Sequence, residues 1–177
     1  MNAAAWVSRL GLEPHPEGGF FRRHWASRAL AAGGEEATRD ASRPCCTSIY
    51  YLLESGCVSK LHSLRASDEG WFWHAGGPLT VVEVLRDGGG GAAAPASGAA
   101  SLRRTVLGGL GDDGEVLTHV VQAGTPFGAL LADGVEWALV SCVVAPGFDF
   151  AEWRLEDPTQ FIAGLPASEA ALLARLG

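Results

Sequence analysis

His62 and Glu69 lie close together in the stretch VSKLHSLRASDEGWFWHAG, and a carboxylate set beside an imidazole is an arrangement that moves protons near neutral pH. The carboxylate fixes the tautomer of the ring and raises its basicity, as a general base requires. Alone, His62 reads as a core histidine satisfied by a carbonyl. With Glu69 spaced to face it, a functional pair becomes the better reading.

For the two groups to meet, VSKLHSL and EGWFWH must be neighbouring strands. Ideal alternation then puts Lys60, His62 and Leu64 on one face and Ser59, Leu61 and Ser63 on the other, while Glu69, Trp71 and Trp73 share a face of the next strand. Trp71 and Trp73 either fill the interior as core or stack on a planar or sugar ring. An inward Lys60 needs a partner or an anionic ligand, unless a bulge turns it to solvent.

The remaining elements supply a frame for such a pair. From Thr47 onward the chain reads as short β segments separated by turn residues with no long helical pattern between them, which predicts an all-β antiparallel barrel or sandwich. GFFRRHWASR reads as an earlier strand. A helix is expected over Ala3 to Leu10, capped by Asn2 and ended by Gly11. Near the end, Asp157 and Pro158 predict a helix to about Ala163, and SEAALLARL predicts another capped by Ser168. Residues 30–44 read as a loop, and the low-complexity run at 87–100 reads as a mobile hairpin loop.

The 177 residues suit one domain with a real core, and the net charge of -7 leaves no basic field for nucleic acid or anionic lipid. Cys45, Cys46, Cys57 and Cys142 show no CxxC spacing, so they are expected to be reduced and mostly buried thiols. The N-terminal apolar run is broken by Ser8 and Arg9, which fits neither a signal peptide nor a membrane span. A cytoplasmic protein without nucleic-acid or membrane partners is the expectation.

Gly56, His62, Glu69 and Gly76 follow the spacing of the first cupin motif, with Leu64 where its second His would stand. Together with LEPHPEGGFFR, SDEGWFWHAGGPL and VVAPGFDF, these residues make the chain resemble the cupin superfamily, and within it the small single-domain group called cupin 5. The resemblance implies a jelly roll (double-stranded β-helix) with a pocket in the barrel mouth, commonly a homodimer. It also implies that Phe127 stands where metal cupins carry a third His. Only His62 and Glu69 remain of the expected ligand set, a poor cage for a divalent ion, so no cofactor is expected. A divalent metal held by His62 and Glu69, supplemented by His119 or His74, is the alternative, and the pair could equally be the remnant of a lost metal site.

The same resemblance makes Glu17 and Arg22 candidates for the pocket rim, with Lys60, Trp71, Trp73, Phe127, Tyr50, Gln122 and His119 as further substrate-binding candidates. By analogy with sugar-nucleotide epimerases of the superfamily, the expected function is a metal-independent isomerase or epimerase acting on a small polar, carbohydrate-like or anionic substrate. His62 would be its base, oriented by Glu69. Two alternatives stay open: a non-catalytic protein that binds or senses a small molecule, and a metal-dependent cupin enzyme.

Overall fold

The structure is a computed structural model, and it describes residues 1–29, 43–86, 100–111 and 114–177. Helix α1 (Ala3–Leu10) leads into strands β1 (Glu13–Pro14), β2 (Phe20–Ala26), β3 (Thr47–Glu54), β4 (Val58–Leu64), β5 (Asp68–Gly76) and β6 (Leu79–Arg86). Then come β7 (Ala100–Leu107), β8 (Glu115–Val116), β9 (Thr118–Val121), β10 (Phe127–Leu131), β11 (Trp137–Ala145) and β12 (Trp153–Leu155), a short 3-10 turn (Pro158–Gln160) and α2 (Ala167–Ala174). The strands form two six-stranded sheets, ordered β1-β2-β3-β11-β5-β9 and β12-β4-β10-β6-β7-β8. The architecture is a jelly roll with short terminal helices.

The sheets face each other across a core that takes alternate residues from each strand, including Tyr51, Leu53, Trp71, Val81, Phe127, Ala129 and Val140. The two helices cover outer faces. Trp6, Val7 and Leu10 of α1 pack over Leu52 and Leu139, and Leu172, Leu173 and Leu176 cover Leu61, Val82 and Leu130 of the other sheet. Asn2 caps α1 by accepting the Ala5 N–H, and Gly11 ends it at φ 61°.

Three expectations need correction. The helix expected from Asp157 stops after one 3-10 turn; Asp157 does accept the Thr159 N–H there. Ser168 does not cap α2, because the cap position falls two residues earlier, at Pro166, with no side-chain cap. Of the cysteines only Cys142 is buried, with Cys57 exposed and Cys45 and Cys46 between, though all four are free thiols. Most of both predicted loops, residues 30–42 and 87–99, lies outside the described residues.

Candidate functional site

Strand β4 is not regular. Its ladder with β10 pairs Phe127 with His62 but Ala129 with Ser59, so β4 carries one extra residue between those points. The bulge turns Lys60 out to solvent and keeps Ser59, His62 and Leu64 on the inner side. This corrects the expected grouping of Lys60 with His62. Lys60→Ala is therefore expected to change stability by less than about 0.5 kcal/mol, as for an ordinary surface position, and to leave ligand affinity intact. Thermal melts and a binding titration check both.

The carbonyl of Lys60 matters more than its side chain. It lies 2.7 Å from His62 Nδ1, and the Oε2 of Glu17 lies 3.3 Å from the same nitrogen. Both neighbours are acceptors, so only a protonated Nδ1 satisfies them, and the neutral ring carries its lone pair on Nε2. Among the described residues Nε2 has no hydrogen-bond partner. The ring is 2% exposed and packs on Phe127 with centroids 4.1 Å apart.

Glu17 arrives from the turn that connects β1 to β2. Gly18 and Gly19 stand at φ 111° and 68°, and a Cβ on either would come within 2.2 Å of the Val58 carbonyl oxygen or 2.5 Å of that of Leu52. Only glycines allow the turn to lie this close to β3 and β4. Lys60 N–H donates to the Glu17 carbonyl, and the Tyr51 hydroxyl donates to that of Gly18 at 2.8 Å. The Glu17 carboxylate accepts from Ser59 Oγ at 3.1 Å and from Trp153 Nε1 at 2.5 Å. With His62 Nδ1–H, three donors are directed at this one carboxyl group.

These groups line a cavity of about 410 Å³ in the mouth of the barrel, within the range usual for small-molecule sites. Phe21, Ile49, Tyr51 and Trp71 form its inner walls, and Phe148, Phe150 and Trp153 stand at its outer side. Arg43 braces the segment that carries this outer wall. It pairs with Glu152 and donates to Ser67 Oγ at 2.6 Å and to the Pro146 carbonyl at 3.0 Å.

Glu69 lines the same cavity from β5, beside Cys142; β4 and β5 belong to the two facing sheets, which corrects the expectation that they are neighbouring strands. Burial, reinforced by the charge of Glu17, pushes its carboxyl up to about 8, while a hydrogen bond with the Cys142 thiol pulls the other way. At neutral pH it is a carboxylic acid with a proton to give. The folded protein holds that proton more tightly than the unfolded chain, whose carboxyl titrates near 4.5, so the contribution to stability is complete below about 4.5 and is lost as pH rises toward about 8. Denaturant midpoints of wild type and Glu69→Gln are expected to diverge across that interval by on the order of 1 kcal/mol per pH unit, with wild type losing stability. Parallel curves would contradict this.

Of the other candidates, Trp71 lines the cavity and is 1% exposed. Trp73 does not line it: its indole N–H donates to the Gly77 carbonyl at 3.2 Å, away from the mouth. Phe127 lies behind His62 as core rather than as ligand surface. Tyr50 points to the outer face of its sheet, stacked on His24 at 4.2 Å, and its neighbour Tyr51 takes the inner place. Gln122 is exposed in the turn before β10. Arg22 borders the cavity, but its guanidinium leaves outward to the Leu10 carbonyl at 2.8 Å. His119 is tied to Glu83 at 2.7 Å, a buried carboxylate that Arg103 also holds at 2.8 Å.

Sequence reasoning passed over His15, Arg23, Tyr51, Ser59 and Trp153, all of which line the cavity. Arg23 and Tyr51 were legible in principle, since each sits one position from a chosen residue and strand parity decides between them. Ser59 was hidden by the bulge, and Trp153 by its distance along the chain.

A family model described as Cupin superfamily (DUF985), the cupin 5 group, matches residues 4–156. The chain belongs to this family. Two similar solved structures are a protein from Shewanella oneidensis, 32% identical with TM-score 0.79 over 100% of this chain and 98% of that one, and a hypothetical protein from Leishmania major, 35% identical with TM-score 0.77 over 92% and 91%. An oxalate decarboxylase of Lactobacillus farciminis, solved as a formate complex, shares the fold at 18% identity and TM-score 0.50, over 94% of this chain and 41% of that one. No curated protein matches the chain.

The donor set of this cupin does not suit the metal that some cupins carry. Leu64 lines the cavity where a second His would stand, and Phe127 is packed against the ring of His62. His74 faces away, its Nε2 bonded to Ser141 Oγ at 2.6 Å, and His119 is committed to Glu83. Among the described residues no group of three or more His, Cys, Asp or Glu side chains could hold an ion. No step below is routed through one.

Proposed function

We propose that this cupin catalyses proton transfer at a carbon beside a carbonyl, an isomerase- or epimerase-type reaction on a small polar substrate of carbohydrate-like or anionic character. One observation carries the reading: a histidine with a free Nε2 lone pair and a carboxyl group held protonated line the same cavity. Paired groups whose environments assign one to accept and the other to donate are the mark of acid–base chemistry. His62 Nε2 removes the proton, and Glu69 protonates the carbonyl oxygen as charge gathers there. Glu17, 3.3 Å from Nδ1, stabilises the imidazolium that forms. Glu17 thus takes the orienting role expected of Glu69, and Glu69 becomes the acid.

The experiment is solvent-deuterium incorporation, read by NMR, into a panel of aldoses, ketoses, their phosphates and simple ketones incubated with the full chain. At least one compound is expected to gain deuterium above the buffer rate; a silent panel counts against the reading. A binding or sensing protein is the second reading, favoured by the aromatic walls, which would grip a ligand without chemistry. Thermal stabilisation by a panel compound without isotope uptake would support it.

A cytoplasmic homodimer is part of the same proposal. The exposed apolar side chains Phe72 and Val120 on neighbouring strands β5 and β9 are compatible with a second copy, and light scattering after gel filtration tests it. Among the described residues no helix is long and apolar enough to cross a membrane.

A further inference from the structure

We propose that the substrate of this cavity is a ring-bearing carbonyl compound with an uncharged head, bound ring outward; the inference rests on the acid–base reading above and replaces its anionic or carbohydrate-like substrate with this class. The inner end of the cavity offers few free polar groups. The Tyr51 hydroxyl is spent on the Gly18 carbonyl, and the Ser59 hydroxyl and the Trp153 indole N–H are spent on Glu17. His62 Nε2 and the Glu69 carboxyl remain, joined by His15 and by the indole N–H of Trp71, which has no partner among the described residues. The Nδ1 of His15 accepts the Glu17 N–H at 3.2 Å, so its neutral ring presents Nε2–H as a donor.

A base and three donors match a carbonyl oxygen, one further oxygen and an acidic C–H. They do not match a carboxylate or phosphate. The Glu17 carboxylate stands at this end beside the His15 and His62 rings, and among the described residues no arginine or lysine pairs with it. Arg22 turns outward to Leu10, and Arg23 stands exposed at the mouth, where Glu13 shares the rim. An anionic head would meet the Glu17 charge unscreened.

The outer end is apolar. Phe148 meets Phe150 edge to face at 5.0 Å, and Phe150 meets Trp153 at 6.1 Å in the same manner. Phe150 is 65% exposed, an aromatic ring left uncovered beside a cavity. A flat ring on the substrate would cover it. When such a ketone reacts, the electrons of the C–H bond form the C=C bond as His62 Nε2 takes the proton. The carbonyl π pair takes the Glu69 proton, leaving an enol, an imidazolium and a carboxylate. In D₂O the imidazolium exchanges its proton for deuterium before the reverse step returns it to carbon.

Three probes separate the claims: phenylacetone has the ring and an uncharged head, phenylpyruvate has the ring and an anionic head, and acetone has no ring. With the full chain in D₂O, the rate of deuterium entry divided by the same compound's buffer-catalysed rate, which removes the greater acidity of the benzylic C–H, should be about tenfold higher for phenylacetone than for acetone, the factor one good aromatic contact supplies. Phenylpyruvate should quench the fluorescence of the cavity tryptophans only at concentrations about tenfold higher than phenylacetone. Phe150→Ala should remove most of the advantage of phenylacetone over acetone. Acetone exchanging as fast as phenylacetone on that scale overturns the ring, and phenylpyruvate binding more tightly overturns the uncharged head. In both cases exchange itself still upholds the acid–base reading. If none of the three exchanges while a sugar does, this substrate class is wrong and the acid–base reading stands. Quenching by phenylacetone with no exchange in any compound overturns both.

Discussion

Glutamine in place of His62 is expected to lower the rate of deuterium incorporation by about 10²- to 10⁴-fold, the range a positioned general base supplies. The variant keeps an amide N–H that can serve the Lys60 carbonyl, which His62 Nδ1 meets at 2.7 Å, so the bulge of β4 retains its partner. What it loses is the lone pair on Nε2. The fall should therefore appear in kcat with KM nearly unchanged, because the amide fills the same space in the ground state but cannot accept a proton in the transition state. A folded His62→Gln protein that exchanges substrate at the wild-type rate removes His62 from the chemistry.

Glu17→Gln is expected to be the most damaging polar change in the site, costing roughly 2–4 kcal/mol of folding stability, since hydrogen bonds to a charged acceptor exceed neutral ones. Ser59, Trp153 and His62 all direct donors at this carboxylate, and an amide would turn its own N–H groups toward some of them. Glu69 should respond too. The Glu17 charge is one of the causes that hold its carboxyl near 8, so removing it should lower that value. Denaturation at neutral pH measures the first effect, and a smaller pH dependence of stability measures the second. An unchanged denaturation midpoint would mean that the carboxylate is not the anchor its contacts describe.

The sheets were legible because the pattern that folds them is local. The segments TSIYYLLE and VSKLHSL coincide with β3 and β4, and Asn2 and Gly11 bound α1 as their chemistry predicts. Parity was the weak point. Lys60 was placed inside on ideal alternation and Tyr50 was named a substrate-binding candidate, and the structure turns both outward: the first by the bulge of β4, the second because Tyr51 takes the inner register. The pairing of His62 with a carboxylate was expected, but Glu17 and Trp153 come from opposite ends of the chain, and no spacing rule encodes a contact of that separation.

The close fit of Gly18 and Gly19 against two strand carbonyls has a consequence for how the protein matures. Until that N-terminal turn is seated and the indole near the other end has closed over its acid, the barrel can exist with an incomplete reaction centre. The His62 environment is therefore complete only when the N-terminal turn and the strand that carries Trp153 are both in place.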